Sequence, residues 1–315
     1  MQGTRRAVLD AIAEGPISGP ALARELDVSR AAVWKHVEAL REAGFEIGSE
    51  TSGYTLESVP EYGGPAIEFG LDAPFEIEFH QSLPSTNARA RDLAADGESD
   101  VVVLADAQTG GRGRLDREWT SPSGGVWLSV LSRPGLPPAH APLYTLAAAV
   151  ATTRAVRAAG VDAGIKWPND VLVHDPEAGS RERKIAGILT EMRGEADRIA
   201  WLIVGIGCNA NVDPEALPAG ATSLREGVGD VSRRELVQRL LREFEALRAN
   251  PDSILPAWRE HALTLGRRVR VETARGESVG RALDITFPGG LVLETADGRV
   301  TVSAGDCEHL RPVSR

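Results

Sequence analysis

Lysine is nearly missing from this chain. Only Lys35, Lys166 and Lys184 occur in 315 residues, and arginine supplies the other cations. The formal net charge is −10. An acidic surface poor in lysine suits a salt-rich cytoplasm, or follows from a GC-rich genome. Either way, each remaining lysine becomes a candidate for work that needs a compact ammonium rather than a planar fork. Cysteine is scarce too: Cys208 and Cys307 stand far apart, which excludes a paired-cysteine metal site and a disulfide framework. The six histidines include no H-x-x-x-H pair, so neither structural nor catalytic zinc is expected. No apolar run reaches the roughly 20 residues of a membrane span. The N-terminal MQGTRRAVLDAIAEG lacks the apolar centre of a signal peptide, so a cytoplasmic protein is expected. No G-x-x-x-x-G-K-[ST] is present, which excludes a Walker loop. With 42% hydrophobic and 25% charged residues, the chain is an ordinary soluble one, long enough for two or three domains.

What is present centres on Gln108–Trp119, QTGGRGRLDREW. Gly110, Gly111 and Gly113 alternate with Arg112 and Arg114, and no apolar period runs through the stretch, so it is a loop. Glycine lets backbone approach a ligand, and arginine grips phosphate or carboxylate. The loop is either an anion-enclosing device or a solvated turn.

Residues 4–57 read as helices followed by a hairpin. Thr4–Glu14 places Ala7, Val8, Ala11 and Ile12 on one face. Gly19–Leu26 is a short helix. Arg30–Ala43 is a longer one, capped by Ser29 and buried through Val33, Val37 and Leu40. Phe45–Leu56 bends at Gly48, Ser52 and Gly53. The pattern is that of a winged helix-turn-helix, whose second motif helix would enter a DNA major groove. Ser29, Arg30, Ala31, Trp34 and Lys35 are the candidate DNA contacts. Six basic against nine acidic residues over 1–57 leave the alternative of a partner-docking or vestigial module.

Residues 59–74 are rich in Pro and Gly and read as a linker. Phe75–His80 alternates as a strand, and SLPSTN then leads into a helix from about Ala88. Ser85, Thr86 and Asn87 are helix caps or holders of a polar ligand. Val101–Ala105 is a buried strand entering the Gly/Arg loop, Val126–Leu131 is the next strand, and Ala139–Ala159 is a long alanine-rich helix. Gly164–His174 sets Lys166-Trp167-Pro168-Asn169-Asp170 between apolar strand segments, which is either a site or a polar hairpin turn. Asp175–Arg183 reads as a charged loop. Lys184–Glu191 restarts a strand, and Ile199–Asn211 ends in Gly205, Gly207 and Asn209. Ser232–Leu247 and Pro256–Leu263 are helices. Gly266–Arg311 alternates in short runs, with turns at Ala274–Gly276, Pro288–Gly290 and Asp297–Gly298, as a small β-barrel does.

In order, STN, GRGR, KWPND and RKIAG between a winged helix and a β-barrel resemble the bifunctional biotin–protein ligase and biotin-operon repressor family, over about residues 4–312. The resemblance implies an α+β chain: a winged helix-turn-helix domain (1–58), a linker (59–74), a mixed-sheet catalytic domain like that of class II aminoacyl-tRNA synthetases (75–264), and an SH3-like β-barrel (265–315). It implies that biotin and ATP, with Mg²⁺, form biotinyl-5′-adenylate, and that a carrier-protein lysine then attacks the acyl carbon. On this resemblance Ser85, Thr86, Asn87, Gln108, Arg112, Gly113, Arg114 and Lys184 contact biotin. Arg112, Arg114, Trp119, Lys166, Asn169 and Asn209 face the nucleotide, and Lys184, Arg114, Lys166 and Asp170 carry the chemistry. The implied partners are a biotin carboxyl carrier domain, operator DNA and a second copy of the chain, with no membrane and no structural metal. The chain departs from the family's common GRGRRG in carrying Leu115 and Asp116 after Arg114, where that loop also serves the repressor dimer. Two further readings stay open: a biotin-sensing transcription factor without ligase activity, and a lipoate or octanoate ligase on the related fold.

Overall fold

The structure, a computed structural model, describes residues 3–175, 181–273 and 276–310. It opens with α1 (Gly3–Ala13), α2 (Gly19–Glu25) and α3 (Arg30–Glu42), then the hairpin β1 (Glu46–Glu50) and β2 (Gly53–Ser58). Ser18 and Ser29 cap α2 and α3 by accepting from the Ala21 and Ala32 N–H groups. α3 buries Val33, Val37 and Leu40, as its spacing predicts. α1 buries Val8, Leu9 and Ile12, with Ala11 packed partly buried against the same core, so the apolar face is as expected but also includes Leu9. Arg41 fastens the hairpin to α3 by donating to Ile47 O at 2.6 Å and Ser49 Oγ at 2.7 Å. Gly53, at φ 129°, lies so close to the Ile17 backbone that no side chain fits there.

α4 (Gly64–Glu68) follows, then β3 (Glu76–Leu83), α5 (Thr86–Ala95), β4 (Val101–Gln108), β5 (Val126–Ser132) and α6 (Ala141–Ala158). Next come β6 (Ala163–Lys166), β7 (Asp170–Asp175), β8 (Arg181–Gly194), β9 (Ile199–Cys208), α7 (Leu224–Val228), α8 (Arg233–Ala249) and α9 (Ile254–His261). Strands β3 to β9 form one sheet, ordered β3-β4-β5-β9-β8-β7-β6. The β3–β4 pair is parallel and every other pair antiparallel, so the sheet is mixed. The expected charged loop at Asp175–Arg183 is strand at both ends, because β7 runs to Asp175 and β8 starts at Arg181. Residues 176–180 lie outside the described residues.

The period of two decides what each face of the sheet meets. β4 sends Val102 and Leu104 into the large core under α6, and Val101 and Val103 into a smaller one under α5. β9 sends Leu202, Val204, Ile206 and Cys208 to the large core, while Ile203 packs under α5. The next positions on the α5 side are Gly205 and Gly207, and Gly187 of β8 stands opposite Gly207 in the ladder. α5 therefore covers only part of its face.

The segment between the winged helix and β3 is packed. Ile67 and Leu71 belong to the large core, and Phe69 meets Phe45 of the N-terminal unit edge to face, 6.4 Å between centroids. Its carbonyls need donors, and α8 supplies them. Gln238 Nε2 donates to Ile67 O and Phe69 O, and Arg234 donates to Ala66 O and Phe69 O. Arg233 bridges Glu61 and Asp106 and lies 3.9 Å above the Tyr62 ring. Burial opposes the Arg233 charge, but Glu61 and Asp106 outweigh it and hold the proton more tightly than on a free guanidinium.

The chain ends in β10 (Arg268–Thr273), β11 (Gly276–Thr286), β12 (Gly290–Thr295), β13 (Gly298–Val302) and β14 (Asp306–His309). They form an antiparallel sheet, ordered β13-β12-β11-β10-β14. The turns expected at Pro288–Gly290 and Asp297–Gly298 fall between strands, while 274 and 275 of the expected Ala274–Gly276 turn lie outside the described residues. The apolar side of this sheet (Val269, Val271, Ala282, Leu291) is continuous with the large central core. Trp167 donates from Nε1 to Gly289 O at 3.0 Å across that joint. Among the described residues no helix is long and apolar enough to cross a membrane.

Arg233→Leu removes one partner of a buried pair and leaves Asp106 uncompensated. Urea unfolding is expected to show a loss of about 3 kcal/mol, with faster protease cleavage between residues 59 and 74. An unchanged midpoint would mean that the apolar contacts alone hold this segment.

Candidate active site

A cavity of about 270 Å³ opens where α5 stops covering the sheet. Gly187, Gly205 and Gly207 line it, so strand backbone lies bare beneath whatever enters. One end is built from neutral polar groups. Ser85 caps α5 through Ala88 N–H at 3.4 Å and also lines the cavity. Thr86 and Asn87, the first helical residues, are buried and turn inward. Thr86 N–H and Oγ1 both donate to Gln108 Oε1, at 2.8 and 3.1 Å, and Gln108 Nε2 donates to Ser121 Oγ at 3.0 Å. Ser129 Oγ donates to Asn87 Oδ1 at 2.6 Å and lies 2.7 Å from Thr86 Oγ1, while Asn87 Nδ2 donates to Glu191 Oε1 at 2.8 Å. Each side chain is locked by its neighbours, so the lattice presents fixed hydrogen-bonding groups to a polar, uncharged ligand. Sequence reading missed Ser121, Ser129 and Glu191. The signal for Ser129 was present: a lone hydroxyl in the apolar run Val126–Leu131.

The other end is charged. Asp170 Oδ1 takes Lys184 Nζ at 2.6 Å, and Asp170 Oδ2 lies 3.6 Å from Lys166 Nζ. Lys166 and Asp170 pair across the β6–β7 hairpin, so the KWPND stretch is both a hairpin turn and a part of this cluster. Two ammoniums on one carboxylate leave a formal charge of +1 to attract an anion. Lys166 does not line the cavity itself. It lines an adjoining cleft of about 480 Å³, shared with Lys184 and Asp170.

The Gly/Arg loop roofs the cavity. Trp119 N–H donates to Gly111 O and Gly113 N–H donates to Arg117 O, which folds the loop back on itself, with Arg112 bridged to Glu118. Arg114 donates to Asn169 Oδ1 at 2.9 Å and Gly305 O at 2.8 Å, and Arg117 pairs with Asp306 at 2.6 Å. Arg114 is thus already gripped by protein on two sides, and it pins the roof to the KWPND turn and to the C-terminal sheet. Arg112 and Gly113 line the cavity alongside it. The Trp119 ring lies across the glycine floor, where a Cβ on Gly207 would sit 2.5 Å from its Nε1, with Lys184 Nζ 5.0 Å from the ring centroid. Trp119 Nε1 and Asn209 Oδ1 are buried with no hydrogen-bond partner among the described residues, one a donor and one an acceptor. Asn209 Nδ2 donates to Thr222 O, which fixes its orientation.

Leu115 and Asp116 both stand in the left-handed region, at φ 55° and 56°. Glycine adopts that conformation freely and aspartate tolerates it, whereas a leucine there is strained by about 1 kcal/mol or more. The Leu115 side chain is 76% exposed, so packing does not offset the strain.

The remaining candidates lie elsewhere. Ser29, Arg30, Ala31, Trp34 and Lys35 share the exposed face of α3, with Trp34 56% exposed. Cys208 and Cys307 are buried free thiols; burial pushes each up to about 12, which keeps both protonated and unreactive. Among the described residues no group of three or more His, Cys, Asp or Glu could hold a metal ion.

A sheet-floored cavity with a neutral polar end, a cationic end and an arginine-pinned roof, set behind a helix-turn-helix unit, belongs to the biotin/lipoate ligase class. Residues 79–209 match the biotin/lipoate A/B protein ligase family, 264–310 the biotin protein ligase C-terminal domain and 5–55 a helix-turn-helix domain. The chain is 37% identical over 312 residues to the bifunctional ligase/repressor BirA of Bacillus subtilis, 93% of each chain. It is 38% identical over 242 residues to the biotin–[acetyl-CoA-carboxylase] ligase of Mycobacterium tuberculosis, 72% of this chain and 86% of that one. The solved biotin protein ligase from Aquifex aeolicus in complex with biotin and ATP superposes with a TM-score of 0.61 at 26% identity, over 74% of this chain and 99% of that one. The chain belongs to the bifunctional biotin–protein ligase and repressor family.

Ser129→Ala leaves Asn87 Oδ1 without its donor in a buried position. A loss of about 1–3 kcal/mol in urea unfolding is expected; no loss would mean that the polar lattice closes without Ser129.

Proposed function

We propose that the protein joins biotin to a lysine of a biotin carboxyl carrier domain at the expense of ATP, and that its N-terminal unit represses transcription by binding operator DNA. The observation that carries the ligase reading is the polarity of the 270 Å³ cavity, neutral at one end and cationic at the other. A ureido ring is neutral with donors and an acceptor, and suits the Thr86, Asn87, Gln108 end. A carboxylate suits the end where Lys184 stands, beneath the roof of Arg112, Gly113 and Arg114. Ser85 supports this end by fixing the start of α5.

Two anions must then meet. The biotin carboxylate oxygen attacks the α-phosphorus of ATP, the α–β anhydride bond breaks, and pyrophosphate leaves. Lys184 and Arg114 offset the charge that develops, and Lys166 faces the departing phosphates from the cleft. Asp170 is engaged by both lysines, so the magnesium ion is expected to arrive on the triphosphate as part of the substrate. Trp119 offers a flat wall, Asn209 Oδ1 an acceptor and Asn169 a roof anchor on the nucleotide side. In the second step the carrier lysine amine attacks the acyl carbon, the acyl–phosphate bond breaks and AMP leaves. Asp170, freed as the ammoniums turn to the phosphates, orients the amine and takes its proton. Between the steps a mixed anhydride must be kept from water, which is the work of the roof.

The names of the relatives support both activities: ligase and repressor in one B. subtilis chain, and biotin with ATP in the Aquifex structure. On the exposed face of α3, Ser29, Arg30, Ala31, Trp34 and Lys35 would meet the DNA, which calls for a second copy of the chain on a two-fold operator in the cytoplasm.

Purified protein with biotin, MgATP and a carrier domain is expected to label the carrier and release pyrophosphate. Ligand binding without transfer would leave only a sensor, and displacement of biotin by lipoate would point to the related ligases. Arg114→Gly unpins the roof from Asn169 and Gly305, so bystander proteins are expected to become biotinylated as the adenylate escapes. Labelling confined to the carrier in that variant would show that the roof does not retain it. A mobility shift with DNA from upstream of biotin-synthesis genes is expected to strengthen with biotin and ATP and to weaken steeply with salt. No shift at any salt would make the N-terminal unit a docking module.

A further inference from the structure

The lysines of the proposed reaction sit on separate pieces of chain. Lys166 ends β6, and Lys184 lies in β8. Strand β7 lies between them in the sheet and pairs with both, and β14 of the C-terminal sheet braces the same two segments from outside that sheet through one side chain. His309 Nδ1 lies 2.9 Å from Glu182 Oε2, and His309 Nε2 lies 3.0 Å from Thr264 Oγ1. Thr264 Oγ1 in turn accepts from the Trp167 backbone N–H at 2.9 Å. Because Thr264 Oγ1 receives that proton, its own hydrogen is free for His309 Nε2. Of the two neutral tautomers, the one that accepts at Nε2 and donates from Nδ1 to Glu182 satisfies the whole chain.

The ends of this chain are adjacent to the chemistry. Trp167 directly follows Lys166. Glu182 precedes Lys184 by two residues, and both face the 480 Å³ cleft, which His309 and Lys166 also line. Thr264 and Trp167 are fully buried, and His309 nearly so. Arg267 closes on Glu182 Oε1 at 2.7 Å; its guanidinium is also 3.4 Å from His309 Nδ1, the longest contact in the cluster. Burial works against the Glu182 charge, but His309 and Arg267 outweigh it and hold the carboxyl below its usual range.

We propose that His309 is a positioning residue for the adenylation step, fixing the Lys166 and Lys184 segments relative to one another across the cleft through Thr264 and Glu182. It touches no substrate. Together with the β7 pairing it stiffens the edge of the cleft on which the two ammoniums stand. The proposal rests on the ligase reading, and the wild-type labelling assay separates the two: wild-type protein that fails to label sinks the ligase reading itself.

The test uses the full chain. His309→Leu breaks both hydrogen bonds, whereas His309→Gln offers an oxygen to Thr264 and an N–H to Glu182. The KM for MgATP is expected to rise about tenfold in His309→Leu, with biotin affinity measured by calorimetry unchanged, and to fall back towards wild type in His309→Gln. Thr264→Val and Thr264→Ser form a second pair with the same expected contrast, and they carry the test if His309→Leu does not fold. An unchanged KM for MgATP in the Leu and Val variants overturns the proposal. So does a loss spread equally over biotin affinity, ATP use and melting temperature that neither Gln nor Ser restores, since that is the mark of a merely structural contact.

Discussion

The structure depends on a bare strip of sheet. A strand face normally carries side chains that something must cover, and α5 covers this one as far as Ile203. Beyond it Gly205 and Gly207 of β9 and Gly187 of β8 present backbone alone. The strip is possible because the opposite face of the same strands is fully apolar: Val204, Ile206 and Cys208 hold β9 in place from below. Rigidity from one face and space on the other follow from the same alternation. Every other part of the site is placed relative to that strip, with the α5 N-terminus at one end, the Lys184 cluster at the other and Trp119 lying across the glycines.

The C-terminal sheet and the Pro/Gly-rich segment before β3 make a related point. Both look like appendages in sequence, and both are buried against the central unit. The C-terminal sheet reaches the site in several places: Gly305 and Asp306 hold the roof, and Gly289 holds Trp167. The segment before β3 places Ile67 in one core and Phe69 against the other unit. The wall of the cavity and the N-terminal unit are therefore joined by a short series of contacts. Asp106 lies two residues before Gln108 on β4, and Arg233 links it to Glu61 and Tyr62.

Much of this was legible in the sequence. Helix α3 and its serine cap, the strand glycines, the KWPND turn and the terminal β-rich stretch all follow local rules, since each is set by residues near in sequence. Four motifs in order located the polar and cationic ends of the cavity. What could not be read was long-range. Nothing local says that Gln238 supplies hydrogen to carbonyls 171 residues away, or that Lys166 falls in the cleft beside the cavity rather than in it. The 59–74 stretch carries turn-forming residues because its carbonyls serve α8, and composition alone reads the same residues as a tether. Thr86 and Asn87 were ambiguous for a similar reason. A cap and a ligand holder use the same atoms: Ser85 caps the helix and lines the cavity at once, while Thr86 and Asn87 are more deeply buried beside it.

The scarcity of lysine acquires a physical meaning here. Where the protein needs two acceptors bridged at fixed angles it uses arginine: Arg114 spans Asn169 and Gly305, and Arg233 spans Glu61 and Asp106. A guanidinium held at two points cannot follow a moving charge. The two lysines of the central unit instead share one carboxylate, Asp170, and a single-point ammonium can pivot from that carboxylate to a phosphate without breaking a planar fork. Two-point anchors are thus built with arginine, and the single-point contacts on Asp170 with lysine. The two lysine-bearing strands are held apart by β7, which pairs with both, and β14 touches the same two segments from the C-terminal sheet through His309.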